Sequence, residues 1–353
     1  MGPTVTAVRD AAADKNEVFY FTSWQPRRFC GRRNLSLTWH VLNFSQQEQE
    51  QEMSLSKQSD SDVQPGIVSQ FNQNNKSTYC DYNEAFSVYD RIRRTHGLQS
   101  ILNFFQQSNV PLDEQIVLEG GFGTGAYLDK IRHHVKKMYG VEGSDEGYQQ
   151  TQKKINNAPN VNLQIGNILQ LPFPDSFFHG YLVNQVIHHF DHRNYFQQLD
   201  VFLTESHRVL KAGGHLVFNT CSQEQLDPET GAYWHFKYIP AAARAMQRQF
   251  IPIEELAVRL ESAGFDEVKC SIPSGKIFQQ EYYENPDIAL QPEFKQGDST
   301  YSFLSAAELN ESNVRLMETI EDGSVHQLMK RVAERTQEIG EVLIISARKM
   351  PQV

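Results

Sequence analysis

The sequence predicts a doubly wound α/β domain, a parallel sheet with helices packed on both faces. Two observations carry that prediction. The stretch "VLEGGFGTG" (117–125) sets four glycines behind a short apolar run and ahead of a segment with apolar residues at helical spacing. Beyond it, strand-like and helix-like segments alternate with short connections, the pattern of a parallel sheet covered on both sides.

Taken in order, residues 1–69 stand apart from the rest. "FYFTSW", "RRFCGRR" and "LTWHVLNF" follow no period, and "SQQEQEQEMSLSKQSDSDVQP" is polar and low in complexity. This extension is expected to be disordered or weakly ordered, with the folded domain over 70–353. Asp10, Asp14 and Glu17 argue against an organelle transit peptide, which is poor in acids. From Tyr79, "YNEAFSVYDRIRRTHGLQSILNFFQQ" reads as two helices broken at Gly97. Residues 115–118 form a buried strand, and a helix starts at Ala126. Then come the strand "KKMYGVEGS", the helix "DEGYQQTQKKINNA" and the strands "VNLQIGN" and "GYLVNQV". The helix "NYFQQLDVFLTESHRVLKAGG" is expected to close at a glycine cap before the strand "HLVFNTC", and "AGFDEVKCSIPS" adds a helix end and a strand. Two insertions, about 223–250 and 275–340, are rich in aromatics and include two amphipathic helical stretches. Long segments at the ligand end of a sheet commonly form a cap or lid.

Composition narrows the function. Hydrophobic residues at 39% and charged residues at 22% suit a soluble globular chain, and no apolar run reaches the length of a membrane span. A formal net charge of −10, without a basic patch, argues against a nucleic-acid partner. Cys30, Cys80, Cys221 and Cys270 form no CxxC pair, which favours reduced thiols in a cytoplasmic protein over disulfides or zinc.

In a doubly wound sheet the ligand sits beyond the carboxyl ends of the strands. Those ends supply Glu119, Gly121, Gly123 and Gly125, then Glu142, then Asn167, and finally Asn184 and Gln185 followed by His188 and His189. The glycines admit a ligand close to the main chain. Glu142 offers two acceptor oxygens to a pair of ribose hydroxyls. Asn167 offers a carbonyl to an adenine amino group, and Ile168 an apolar surface and a backbone N–H. Together these describe a bound adenosine. Gly121-x-Gly123-x-x-Ala126 also satisfies the dinucleotide fingerprint, with Glu142 near the required spacing, so an NAD(P)-dependent oxidoreductase fits the same residues.

"VLEGGFGTG", "GVEGS", "GNILQLPFPDSFF" and "ESHRVLKAGGHLVF", in that order, resemble the class I S-adenosylmethionine-dependent methyltransferases, most of all the small-molecule branch that includes the quinone C-methyltransferases. The resemblance covers about residues 79–272 and the final strand "GEVLIISARK". It implies a seven-stranded Rossmann-like sheet with an antiparallel last strand, and S-adenosyl-L-methionine as cofactor. It further implies that Gly121 and Gly123 line the methionine end, Glu142 the ribose, and Asn167 with Ile168 the adenine, while Tyr79 and Arg94 approach from above. Glu119, Asn167 and His179 stand where aspartate is usual in that family, Gly120 where an apolar residue is usual, and Ala212 where proline is usual.

Methyl transfer at a sulfonium carbon needs alignment and a dry site, and a base only for an acceptor whose proton is tightly held. His188 and His189 are the candidate bases; the same histidines also read as packing or capping residues. His188, Asp191 and His192 lack a further partner as metal ligands, so no metal is expected. Trp234, Tyr238, Tyr282, Tyr283 and Tyr301 are candidates for an aromatic substrate pocket or cation cage, against a reading as core residues. The expected function is methyl transfer to a small molecule; a methyltransferase-like partner module that binds the cofactor without catalysis is the further alternative.

Overall fold

The computed structural model describes residues 5–8, 17–21, 82–190 and 196–350, all belonging to one compact unit. Its strands are β1 (Val5–Val8), β2 (Glu17–Phe21), β3 (Ile116–Gly120), β4 (Lys137–Glu142), β5 (Val161–Ile165), β6 (Phe178–Asn184), β7 (Leu210–Thr220), β8 (Phe265–Ile272) and β9 (Leu343–Lys349). The order β5-β4-β3-β6-β7-β9-β8 is the seven-stranded methyltransferase arrangement, with β9 antiparallel to both neighbours. The chain winds outward from β3 to β5, then returns to place β6 on the other side of β3. The crevice for a ligand therefore opens between the carboxyl ends of β3 and β6.

β1 and β2 lengthen the sheet beyond β8, with Glu17 opposite Ile272. The sequence reading gave the extension no strands, yet "EVFYF" is a β-branched and aromatic run suited to a sheet edge. The rest of residues 1–69 lies outside the described residues.

Helices α1 (Tyr82–Ile92) and α2 (Leu98–Gln106) are separated at Gly97, whose φ of 80° suits glycine. They are followed by α3 (Ala126–Ile131), α4 (Asp145–Ile155) and α5 (Gln197–Val209). Ser144 caps α4 by accepting the Gly147 N–H at 3.2 Å, and Asp145 and Glu146 fall in its first turn, where acids favour the helix dipole. α5 was expected to run to the glycines at 213 and 214. It stops at Val209 instead, because the Lys349 ammonium donates to the His207 and Leu210 carbonyls, at 2.6 and 2.7 Å, and Leu210 enters β7. A buried lysine here replaces a glycine cap.

One face of the sheet carries Ile101, Phe105, Leu128 and Met138; the other carries Phe178, Phe202, Leu256 and Phe265. This is the two-sided core of a doubly wound sheet. The first insertion contributes α6 (Pro240–Gln249), and α7 (Ile253–Ser262) follows it before β8. The second contributes α8 (Glu281–Glu284), α9 (Pro292–Gln296), α10 (Ala306–Glu321) and α11 (Ser324–Ile339). A Ser305–Glu308 capping box starts α10. Among the described residues no helix is long and apolar enough to cross a membrane.

Candidate active site

The turn after β3 is built on backbone that glycine adopts readily. Gly121 has φ 65° and Gly125 φ 70°, and a Cβ added to Gly125 would stand 2.4 Å from Thr151. The Gly123 amide donates to Glu142 Oε2 at 2.7 Å, while Glu142 Oε1 accepts the Ser144 amide at 2.9 Å. Glu142 thus pins the glycine turn to the end of β4 and, with Gly143 as a further backbone donor, still keeps acceptor capacity for a ligand hydroxyl. Burial raises its pKa, against the opposing pull of those backbone donors. Beside it, Glu119 is raised well above the usual carboxylate range, first by burial and then by the charge of Glu142.

Acceptors dominate this crevice. Glu119 Oε2 and Asn184 Oδ1 are buried and find no hydrogen-bond donor among the described residues. A ligand that brings hydroxyl donors and positive charge complements such a site, and S-adenosylmethionine brings both. The residues present therefore fit that group. Asn167 is partly committed, since its side-chain oxygen accepts the Leu169 amide at 2.9 Å. Ile168 is buried beside Gly120. That neighbourhood explains one departure from the family pattern: a Cβ at Gly120 would lie 2.6 Å from the Tyr181 hydroxyl. His179 also finds a role, its Nδ1 accepting the Ile116 N–H at 2.9 Å where β3 begins.

Helix α1 lies over the glycine turn. Phe86 would touch a Cβ on Gly123, and Asp90 binds both the Thr124 hydroxyl and Lys154. Tyr79 lies outside the described residues. Arg94 is not aimed at this crevice. It is exposed and its Nε donates to Gln279 at 3.1 Å, because the chain becomes extended after Ile92 and successive side chains alternate. Arg93 is the one that turns inward.

A cavity extends from the ends of β6 and β7 to the cap, lined by Gln185, His188, Cys221, Tyr233, Phe278 and Asp298 among others. His188 sits on a 3-10 turn (Ile187–His189), stacked on Phe250 with ring centroids 4.2 Å apart. Burial holds its pKa well below the usual value, helped by His189 and Arg93, and burial lowers His189 to about 3. Both imidazoles are neutral at pH 7 and weak as bases, so hydrogen bonding and packing suit them better than proton abstraction. Asp191 and His192 lie outside the described residues; among the described ones no group of three metal-ligating side chains gathers. Cys221 and Cys270 are free, buried thiols pushed up, chiefly by burial, to about 11 and about 12.

The five aromatic candidates do come together, though not around this cavity. Trp234 stacks on Tyr282 at 5.5 Å, and its indole N–H donates to the Tyr282 carbonyl. Tyr238 bonds Thr319, Tyr283 bonds Glu341, and Tyr301 stacks on His235. They form the interior of the cap, and the cavity wall falls to their neighbours Tyr233, Phe236 and Phe278. The sequence reading missed Arg93, Phe278 and Asp298. The Asp-Ser-Thr turn signal in "GDSTYSF" was the one local hint, since Asp298 accepts the Thr300 amide.

A seven-stranded sheet, a glycine turn pinned by an acid at the next strand's end, and an acceptor-rich crevice define a class I methyltransferase fold. Residues 118–218 match the methyltransferase-domain family, so the chain carries an S-adenosylmethionine-dependent methyltransferase domain. That match decides against the dinucleotide reading of the glycine turn. Demethylmenaquinone methyltransferase of Lysinibacillus sphaericus is 30% identical over 154 residues, which cover 39% of this chain and 63% of that one. A methyltransferase of Anoxybacillus flavithermus is 26% identical over 159 residues, covering 45% of this chain and 66% of its own length. The chain thus spans a little under two thirds of these relatives. A crystal structure of a candidate methyltransferase from an antibiotic biosynthesis pathway of Anabaena variabilis shares the fold, with TM-score 0.54, 20% identity, and coverage of 70% of this chain and 95% of that one.

Proposed function

We propose that the protein transfers a methyl group from S-adenosylmethionine to a small-molecule acceptor held in the cavity beneath the cap. One observation carries the proposal. The cavity takes its floor from Gln185, His188 and Cys221, which follow the ends of β6 and β7, and its roof from the two insertions. It therefore lies at the same end of the sheet as the glycine turn and Glu142.

In this reading Gly121, Gly123 and Gly125 shape the donor crevice, with Glu119 and Asn184 supplying acceptors to the donor's cationic end. Glu142 holds the ribose, and Asn167 with Ile168 the base. The bound donor supplies an electrophilic methyl carbon. The chain's own part is to align the acceptor and exclude water, which the buried aromatic walls do. Neutral His188, fixed by Phe250, orients an acceptor hydrogen bond. Small-molecule acceptance also accords with the demethylmenaquinone enzyme among the relatives. Incubation of the full chain with metabolite extract and donor labelled in the methyl group tests the reading. A labelled low-molecular-weight product is expected; label found only on macromolecules, or nowhere, would overturn it.

A further inference from the structure

Within the cavity wall, Asp298 is the carboxylate with a built surrounding. It is 5% exposed and opens a 3-10 turn (Ser299–Phe303). Its Oδ1 accepts the Thr300 N–H at 3.0 Å, and its Oδ2 lies 2.9 Å from His235 Nε2. His235 is itself buried, with Nδ1 2.8 Å from the Tyr282 hydroxyl. With the His235 proton on Nε2, the chain Tyr282–His235–Asp298 is satisfied at every link. A carboxylate has about four lone-pair sites, so Asp298 retains acceptor capacity toward the space that it lines.

The rest of the wall is aromatic. Tyr89, Tyr233, Phe236 and Phe278 surround the same space. Arg93 also lines it, but its guanidinium lies 4.9 Å from the centroids of both Tyr89 and Phe278, and its N–H groups reach the Gly297 carbonyl at 3.2 and 3.3 Å. Arg93 is engaged as a wall; against burial, His235 first and then the Arg93 charge keep Asp298 ionised.

We infer that Asp298 is a specificity-determining residue that binds a protonated amine on the acceptor, the ammonium lying against the aromatic walls. An N⁺–H···O⁻ bond is roughly twice as strong as a neutral one, and aromatic faces attract cations. A carboxylate in the same place meets Asp298 as a like charge. The amine is a recognition handle, whichever acceptor atom takes the methyl group. This inference rests on the cavity being the acceptor site of a methyltransferase.

The test titrates the full chain, saturated with S-adenosylhomocysteine, with benzylamine, benzyl alcohol and benzoate by calorimetry at pH 7.5. These probes share a ring and differ in charge. Benzylamine is expected to bind about ten-fold more tightly than the alcohol, with benzoate weakest, and Asp298→Asn should bring amine and alcohol to about the same affinity. Equal binding, tightest binding of benzoate, binding of none of the three, or a preference that survives Asp298→Asn would overturn the inference. The wild-type comparison stands even if the variant fails to fold. S-adenosylhomocysteine binding is measured first, so its absence marks failure of the methyltransferase reading rather than of the amine assignment.

Discussion

Glu341 joins the cap to the sheet just before β9, and its replacement by glutamine makes a quantitative test of that joint. The carboxylate accepts the Ile277 N–H and the Tyr283 hydroxyl, both at 2.7 Å, and 1% of the residue is exposed. Burial pushes its pKa up to about 7, outweighing these two donors and the Lys276 and Arg93 charges. An acid whose pKa is raised on folding holds its proton more tightly in the native state. Its contribution to stability is therefore whole below the unfolded value of 4.5 and is lost as pH rises through 7. At about 1.4 kcal/mol per pH unit the full loss is about 3 kcal/mol, of which about 2.5 falls between pH 5 and 8. Glu341→Gln keeps an oxygen for the same donors and does not titrate. Urea unfolding followed by circular dichroism should show wild type losing that amount relative to the variant over this range. His96 and His215, lowered to about 4 mainly by burial, push stability the opposite way, but they are common to both proteins and cancel in the difference. Parallel stability curves, or wild type gaining on the variant as pH rises, would refute the reasoning.

Other substitutions probe the crevice and the cap. Glu142→Ala should weaken S-adenosylmethionine binding by about 2–4 kcal/mol, read by calorimetry, with some loss of melting temperature because the Gly123 and Ser144 amides lose their acceptor. Tyr282, 2% exposed and packed among Trp234, Phe278 and Phe294, should cost about 3–5 kcal/mol when cut to alanine; an unchanged melting curve would make this stretch a mobile lid instead. Tyr181→Phe removes a buried hydroxyl that has no partner among the described residues and should raise stability by about 1 kcal/mol, and a loss would show that the hydroxyl is bound.

The sheet was legible because its central strands are apolar on both faces and glycine, serine or asparagine marks their ends. Val117, Leu118, Leu182 and Val183 are almost wholly buried, and Ser144 caps a helix as its sequence neighbours suggest. The candidate crevice could be placed for the same reason: its residues lie within a few positions of the strand ends. Side-chain direction was less so. Whether Arg93 or Arg94 turns inward depends on where α1 gives way to extended chain, and the pairing with Phe278 that fixes this lies 185 residues away along the chain. The end of α5 was misplaced because its cap is Lys349, remote in sequence. In the cap, composition announced an aromatic cluster, yet only the fold separates the rings that fill its interior from those that face the cavity.

The central claim, that the crevice takes S-adenosylmethionine, is tested most directly by calorimetric titration of the full chain with that donor and, separately, with NADH. The account predicts saturable one-to-one binding of S-adenosylmethionine, weakened in Glu142→Ala, and no binding of NADH. Saturable NADH binding with none of S-adenosylmethionine would contradict it.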